Sequence, residues 1–246
     1  MSVTKPYEPV GNEDESILQT STLILPTISI GNLPQLTVDL LINNFNFVKI
    51  GYLNDLYLYP FASPIDYVSN PIEGISHAIE VYYSKDLNLT VVQQRSPIIP
   101  SYTTPFINEV IVPFIQNFKQ VIVLNSADSG LIESVNSGDI LIYDNEDLST
   151  NLEKLTITNS PEDEDKNSIF MSKLLKSLKI GKKDNLKVLI SYNYEGDNFD
   201  DAIKMINKLI EILKISKPGD WQKPISWKGV YGDKDVPNAM EEGIFG

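Results

Sequence analysis

The sequence predicts an α/β protein with a largely parallel sheet flanked by helices. Three observations carry this. Short apolar runs of strand length alternate with longer segments of helical periodicity. One run, Val121-Ile122-Val123-Leu124, is wholly apolar, as expected of a central parallel strand buried on both faces. The 246 residues are 42% hydrophobic, enough for one sizeable core.

Taken in order, residues 1–20 read as a disordered N-terminal tail. Pro6, Pro9, Gly11 and the acidic Glu13-Asp14-Glu15 lie there among few apolar residues. Order is expected to begin with the β-branched, apolar run from Thr22 to Ile30. Gly31-Asn32 breaks it, and Pro34 suits the first turn of a helix reaching about Phe45. Leu33, Leu36, Leu40, Leu41 and Phe45 form its apolar face. Phe47 to Leu53 reads as the next strand, and Pro60 to Gly74 as loop. His77–Ser84 and Leu89–Gln94 form a hairpin turning at Lys85-Asp86-Leu87-Asn88.

Pro97 and Pro100 mark a loop before a helix opened by Pro105, in which Pro113 should introduce a kink. After the Val121–Leu124 strand, Asn125 to Ser129 reads as a polar loop and Asp139 to Tyr143 as a strand. An acidic loop is expected near 145–168, where Glu162-Asp163-Glu164-Asp165 repel one another. A short helix from Ile169 to Leu178 and a strand from Lys187 to Tyr194 follow. The strongest helical pattern comes last, with Phe199, Ile203, Ile206, Leu209, Ile210 and Leu213 on one stripe. Asp197 is placed to cap it, and Asp200 and Asp201 suit its positive end. The domain therefore spans 21–231, and 232–246 form a flexible C-terminal tail.

Composition excludes several function classes. There are no cysteines, which removes disulfides, thiolate metal sites and cysteine nucleophiles and suits a cytosolic or nuclear home. The formal net charge is −13, a poor match for nucleic acid or an anionic membrane. That charge favours solubility and basic protein surfaces instead. No apolar run approaches the roughly 20 residues that span a bilayer.

Signals for catalysis are weak. The chain holds neither G-x-G-x-x-G nor a P-loop, and no G-x-S-x-G elbow. His77 is the sole histidine, so a Ser–His–Asp triad would have to use it, and a structural role is the commoner one. Glu195, Asp197, Asp200 and Asp201 cluster after a strand end, where carboxylates could hold magnesium. Capping and dipole compensation explain the same residues more simply. Ser126, Asp128 and Ser129 follow another strand end with a similar signal. Trp221, Trp227 and Tyr231 read as anchors pinning a C-terminal segment to the body.

The C-terminus is the most pointed feature. Ile244-Phe245-Gly246 places two apolar side chains beside a free carboxylate, at the end of a polar stretch. Capture of a C-terminal carboxylate by a partner is a recurring recognition mode. From Asp233 onward, an extended leash could reach roughly 45 Å at about 3.3 Å per residue. The alternative is that Phe245 folds back onto its own surface.

Three segments together resemble the second-subunit family of the eukaryotic proteasome assembly chaperone pair, its fungal members most. They are Leu25-Pro26-Thr27-Ile28-Ser29-Ile30-Gly31-Asn32-Leu33-Pro34-Gln35-Leu36 with the helix after it, Glu195-Gly196-Asp197-Asn198 with Asp201-Ala202, and Pro224-Ile225-Ser226-Trp227 with the tail. The resemblance implies a non-enzymatic subunit without cofactors, on a fold similar to the nucleoside phosphorylase architecture. It also implies pairing with the first chaperone subunit and binding to the α-ring of the 20S core particle. The family's tail pattern is hydrophobic, tyrosine, then any residue. Ile244, Phe245 and Gly246 would be its partner-binding residues here, with Phe245 in place of tyrosine. Two other classes predict different behaviour: a nucleoside phosphorylase-like enzyme, or a scaffold whose tail docks on itself.

Overall fold

A computed structural model describes residues 5–11, 16–131, 135–144, 147–148, 166–180, 185–194 and 196–228. In chain order, the elements begin with strand β1 (Tyr7–Pro9), helix α1 (Ser16–Thr20), strand β2 (Thr22–Pro26) and helix α2 (Leu33–Asn44). Strands β3 (Val48–Leu53), β4 (Ala62–Pro64), β5 (Ile75–His77), β6 (Ile79–Ser84) and β7 (Leu89–Gln94) follow. Then come α3 (Thr103–Phe106), α4 (Val112–Ile115), β8 (Gln120–Asp128), β9 (Ile140–Tyr143), α5 (Lys166–Ile180), β10 (Leu186–Asn193) and α6 (Phe199–Leu213).

Among the described residues, the main sheet has the order β1-β3-β6-β7-β2-β8-β10-β9. Its centre is parallel: β2 pairs with β7 and β8, and β8 pairs with β10 over Val121↔Leu186 to Asp128↔Asn193. Both margins are antiparallel, β9 against β10 on one side and β6, β3 and β1 on the other. This is the expected α/β class, with the parallel part concentrated at the middle of the sheet.

Strand alternation explains why helices cover both faces. Leu23, Leu25, Val121, Val123, Val188 and Ile190 point to one face, where Phe106, Phe114, Phe170 and Leu174 cover them. Ile24, Ile122, Leu124 and Leu189 point to the other, against Leu33, Leu40 and Leu41 of α2 and Met205, Ile206 and Leu209 of α6. Of the expected α6 stripe, Ile206, Leu209 and Ile210 are buried, joined by Ala202 and Met205, while Phe199, Ile203 and Leu213 are half-buried at its margins.

Several expectations need correction. The N-terminal segment is not a tail throughout: Tyr7–Pro9 pairs with β3 at the sheet edge, and Ser16–Thr20 forms a helical turn whose Leu18 is buried. Pro9 is tolerated because an edge strand need not donate outward. The Tyr7 hydroxyl donates to the Ile50 carbonyl (2.9 Å) and its ring meets Phe114 with centroids 5.4 Å apart. Gly51 permits this approach, since a Cβ there would lie 2.4 Å from the Tyr7 ring.

Strand β2 ends at Pro26 rather than Ile30, because Gly31 (φ 65°) and Asn32 (φ 48°) turn the chain into α2. Leu36 and Phe45 are only half-buried, while Gln35, Thr37, Val38 and Asp39 are fully buried. Strand β8 runs through Asn125 to Asp128, where a loop was expected, since parallel pairing with β10 continues to the end of that polar stretch. The kink expected at Pro113 takes the form of a π-turn over Ile107–Ile111, which α4 follows with Pro113 in its first turn. Helix α5 starts earlier than expected, at Lys166. The expected acidic loop lies mostly outside the described residues, as does Tyr231.

Candidate functional site

Ligands of open α/β sheets lie at the carboxyl ends of the parallel strands. Here that region is occupied by side chains bonded to one another. Thr27, just beyond β2, donates its hydroxyl to Asn125 Oδ1 (2.7 Å). Ser126 donates its amide to Ser29 Oγ (3.0 Å) and its hydroxyl to the Ile30 carbonyl (2.6 Å). Gln35 of α2 donates to the Thr27 carbonyl (3.0 Å). On β10, Ser191 donates to Asn193 Oδ1 (2.6 Å). Such satisfaction is what burial of polar groups demands. Among the described residues of this cluster, Gln35 Oε1, Ser129 Oγ and Asn193 Nδ2 are buried without a hydrogen-bond partner.

The entry to α6 closes over the same ends. Asn198 accepts from the Gly196 amide (3.3 Å) and donates to the Tyr194 carbonyl (3.0 Å) and Asp201 Oδ2 (3.2 Å). Gly31 packs so tightly against it that a Cβ would sit 2.1 Å from Asn198 Oδ1. Asp197 accepts from the Phe199 amide (3.3 Å), so its role is local, although Asn198 rather than Asp197 holds the N-cap position. Asp201 is also paired to Lys204 (2.9 Å), and Asp200 is exposed. Among the described residues, no group of three or more His, Cys, Asp or Glu could hold a metal ion. Asp128 accepts from the Gly130 amide (2.8 Å).

The second polar feature was not legible in the sequence. Asp39 projects from α2 into the protein, where Arg95 Nη2 (2.8 Å) and Gln93 Nε2 (2.6 Å) donate to it. Burial pushes the Asp39 carboxyl above its ordinary range, against the lowering influence of Arg95 and Gln93. Nearby, the buried Glu80 carboxylate accepts from Lys49 Nζ (3.0 Å), the Tyr82 hydroxyl (2.8 Å) and the His77 amide (3.2 Å). Burial and then Glu80 push the Tyr82 hydroxyl far above its ordinary value, so it donates and does not ionise. His77 stands at the rim, its Nδ1 3.5 Å from Glu80 and its ring edge-on to Tyr52. These groups pair with one another inside the fold and form a buried charge network.

The C-terminal segment is pinned as its tryptophans predict. Trp227 is buried against the α2/α6 core and stacks on Phe199. Trp221 donates its indole N–H to Asn207 Oδ1 (3.0 Å) and lies edge-on to Phe45. The Ile225 amide donates to the Tyr67 carbonyl (2.7 Å), and the Ser226 hydroxyl donates to Asp66. The chain is thus fixed to the body as far as Lys228. The candidate partner-binding residues Ile244, Phe245 and Gly246 lie outside the described residues.

The chain is 29% identical over 254 residues to proteasome assembly chaperone 2 of Danio rerio, covering 88% of this chain and 93% of that protein. It is 29% identical over 258 residues to proteasome assembly chaperone 2 of Saccharomyces cerevisiae, covering 88% and 96%. Its fold is similar to that of Pyrococcus furiosus PbaA, an archaeal homolog of proteasome-assembly chaperone, with a TM-score of 0.57 at 18% identity, over 87% of this chain and 88% of the other. The PAC2 family model matches residues 23–217, well over half of the 246 residues, and the chain belongs to the PAC2 family.

Proposed function

We propose that this protein is a proteasome assembly chaperone subunit. The observation that carries the reading is similarity along nearly the full length of two proteins named proteasome assembly chaperone 2, one of a fish and one of a yeast. In this reading it pairs with the first chaperone subunit and binds the α-ring of the 20S core particle. It performs no catalysis, a reading supported by the chaperone name its relatives carry. Its places of work are the cytoplasm and nucleus.

The tail supplies the ring contact. The Gly246 carboxylate pairs with a basic residue between neighbouring α subunits, and Ile244 and Phe245 bury apolar surface beside it. Full burial contributes roughly 1.5–3 kcal/mol for each such side chain. Ordering the leash opposes this by about 1–2 kcal/mol per residue fixed. The tail alone therefore binds weakly, and tethering to a docked body raises its effective concentration. Phe245 lacks the hydroxyl of the family's tyrosine, which removes a hydrogen bond worth about 1 kcal/mol. An occupied ring surface excludes other tail-bearing regulators until assembly is complete.

The test is affinity purification of the full chain from its own cells, followed by identification of bound proteins. The expected companions are α subunits and one second chaperone subunit. Recovery of the chain with neither would refute the assembly reading.

A further inference from the structure

One stretch of surface differs from the rest in both shape and charge. Residues 54–60 and 97–102 run side by side after β3 and β7. Tyr59 donates its amide to the Pro97 carbonyl (3.1 Å), Ile99 donates to Tyr57 (3.0 Å), and Leu58 bridges Ile98. Backbone pairing makes this a rigid shelf. Yet it presents large apolar groups to solvent: Leu56 is 64% exposed, Tyr59 48% and Tyr102 46%. The Tyr57 ring lies 5.7 Å from that of Tyr102 and is held by a hydrogen bond from its hydroxyl to Glu109 (2.5 Å). Exposed Pro97 and Pro100 complete the shelf and add stiffness. Large aromatic, pre-ordered surfaces of this kind are characteristic of interface centres, because little entropy is lost when they dock.

Charge narrows what can cover it. Neither 54–78 nor 96–118 contains a single lysine or arginine, although the chain has 20. The acids in those segments are Asp55, Asp66, Glu73 and Glu109. A second copy of this chain would set these segments, which carry acids and no lysine or arginine of their own, against the same acids, which is unfavourable for a self-complementary interface. The complementary surface belongs to a different polypeptide, with an apolar centre and a lysine or arginine rim.

We infer that the shelf around Leu56, Tyr57, Tyr59 and Tyr102 is the docking surface for the other chaperone subunit. This rests on the assembly reading. A lasting heterodimer, more than a ring contact that must later be released, calls for an apolar, aromatic interface.

The experiment measures binding of purified first chaperone subunit to the full chain by calorimetry, with Leu56→Asp/Tyr102→Asp and, separately, Tyr59→Asp. All these side chains are exposed, so thermal unfolding midpoints should stay close to that of the unaltered protein. Affinity should fall by about 30-fold or more for the double variant, the scale of an interface hot spot. Asp55→Lys should weaken binding and reduce its salt dependence. The chain alone should run as a monomer in light scattering. Undiminished binding by folded variants overturns the shelf as docking surface and leaves the assembly reading intact. Failure of the unaltered chain to bind the subunit overturns both. Self-association abolished by Leu56→Asp overturns the inference that the occupant is a different polypeptide.

Discussion

Phe199 and Trp227 stack with ring centroids 4.6 Å apart and planes inclined by 11°. This contact joins the first residue of α6 to the last described turn. Lys223 adds a cation 5.7 Å above the same Phe199 ring.

Trp227→Ala should therefore do more than trim a surface. It empties a buried site, and large-to-small changes of this kind cost about 3–5 kcal/mol. Urea unfolding checks the value. A loss under about 1 kcal/mol would mean that Trp227 does not pin the segment.

The Asp39–Arg95 pair gives a second test. Removing one partner strands a buried charge, so Asp39→Ala should cost about 3–5 kcal/mol. Replacing both, as Asp39→Leu/Arg95→Met, should recover most of that loss. Additive losses in the double variant would contradict coupling across the 2.8 Å contact.

The same carboxylate has a definite pH sign. Burial raises its folded value, so the folded state holds this proton more tightly than the unfolded state. Stability linked to Asp39 is then greatest at acid pH and declines as pH rises through the raised value. The stability of the unaltered protein relative to Asp39→Asn should fall as pH rises above the ordinary carboxylate range near about 4. Thermal unfolding of both across that rise in pH decides; a difference that grows with pH would mean that Arg95 outweighs burial.

Gly31 combines positive φ with a 2.1 Å approach to Asn198 Oδ1. Gly31→Ala should cost at least about 1–3 kcal/mol through backbone strain alone. Adding Asn198→Ala should relieve the collision but not the strain. Equal stability of Gly31→Ala and the unaltered protein in denaturant would contradict this packing.

Much of this fold was legible in the sequence because local patterns agreed with tertiary context. The 3.6-residue stripe of Phe199 to Leu213 and the apolar run Val121–Leu124 allowed little alternative. Two of the errors share a cause: pairing partners distant in sequence. Tyr7–Pro9 becomes a strand because β3 offers a free edge, and Gly51 leaves room for Tyr7. Asn125–Asp128 stays extended because β10 runs beside it. Neither fact has a local signal. Asp39 looked like an ordinary polar helix position, since its partners Arg95 and Gln93 lie more than fifty residues away. The tail differs again: its chemistry is readable, but its meaning depends on a surface belonging to another protein.

That tail carries the account's central claim. The direct measurement is the affinity of the full chain for purified 20S core particles, with and without Ile244-Phe245-Gly246, in the presence of the first chaperone subunit. Deletion should weaken core-particle binding by about tenfold or more, the loss of at least one buried apolar anchor, while the heterodimer survives. Undiminished binding by the truncated chain would contradict the claim.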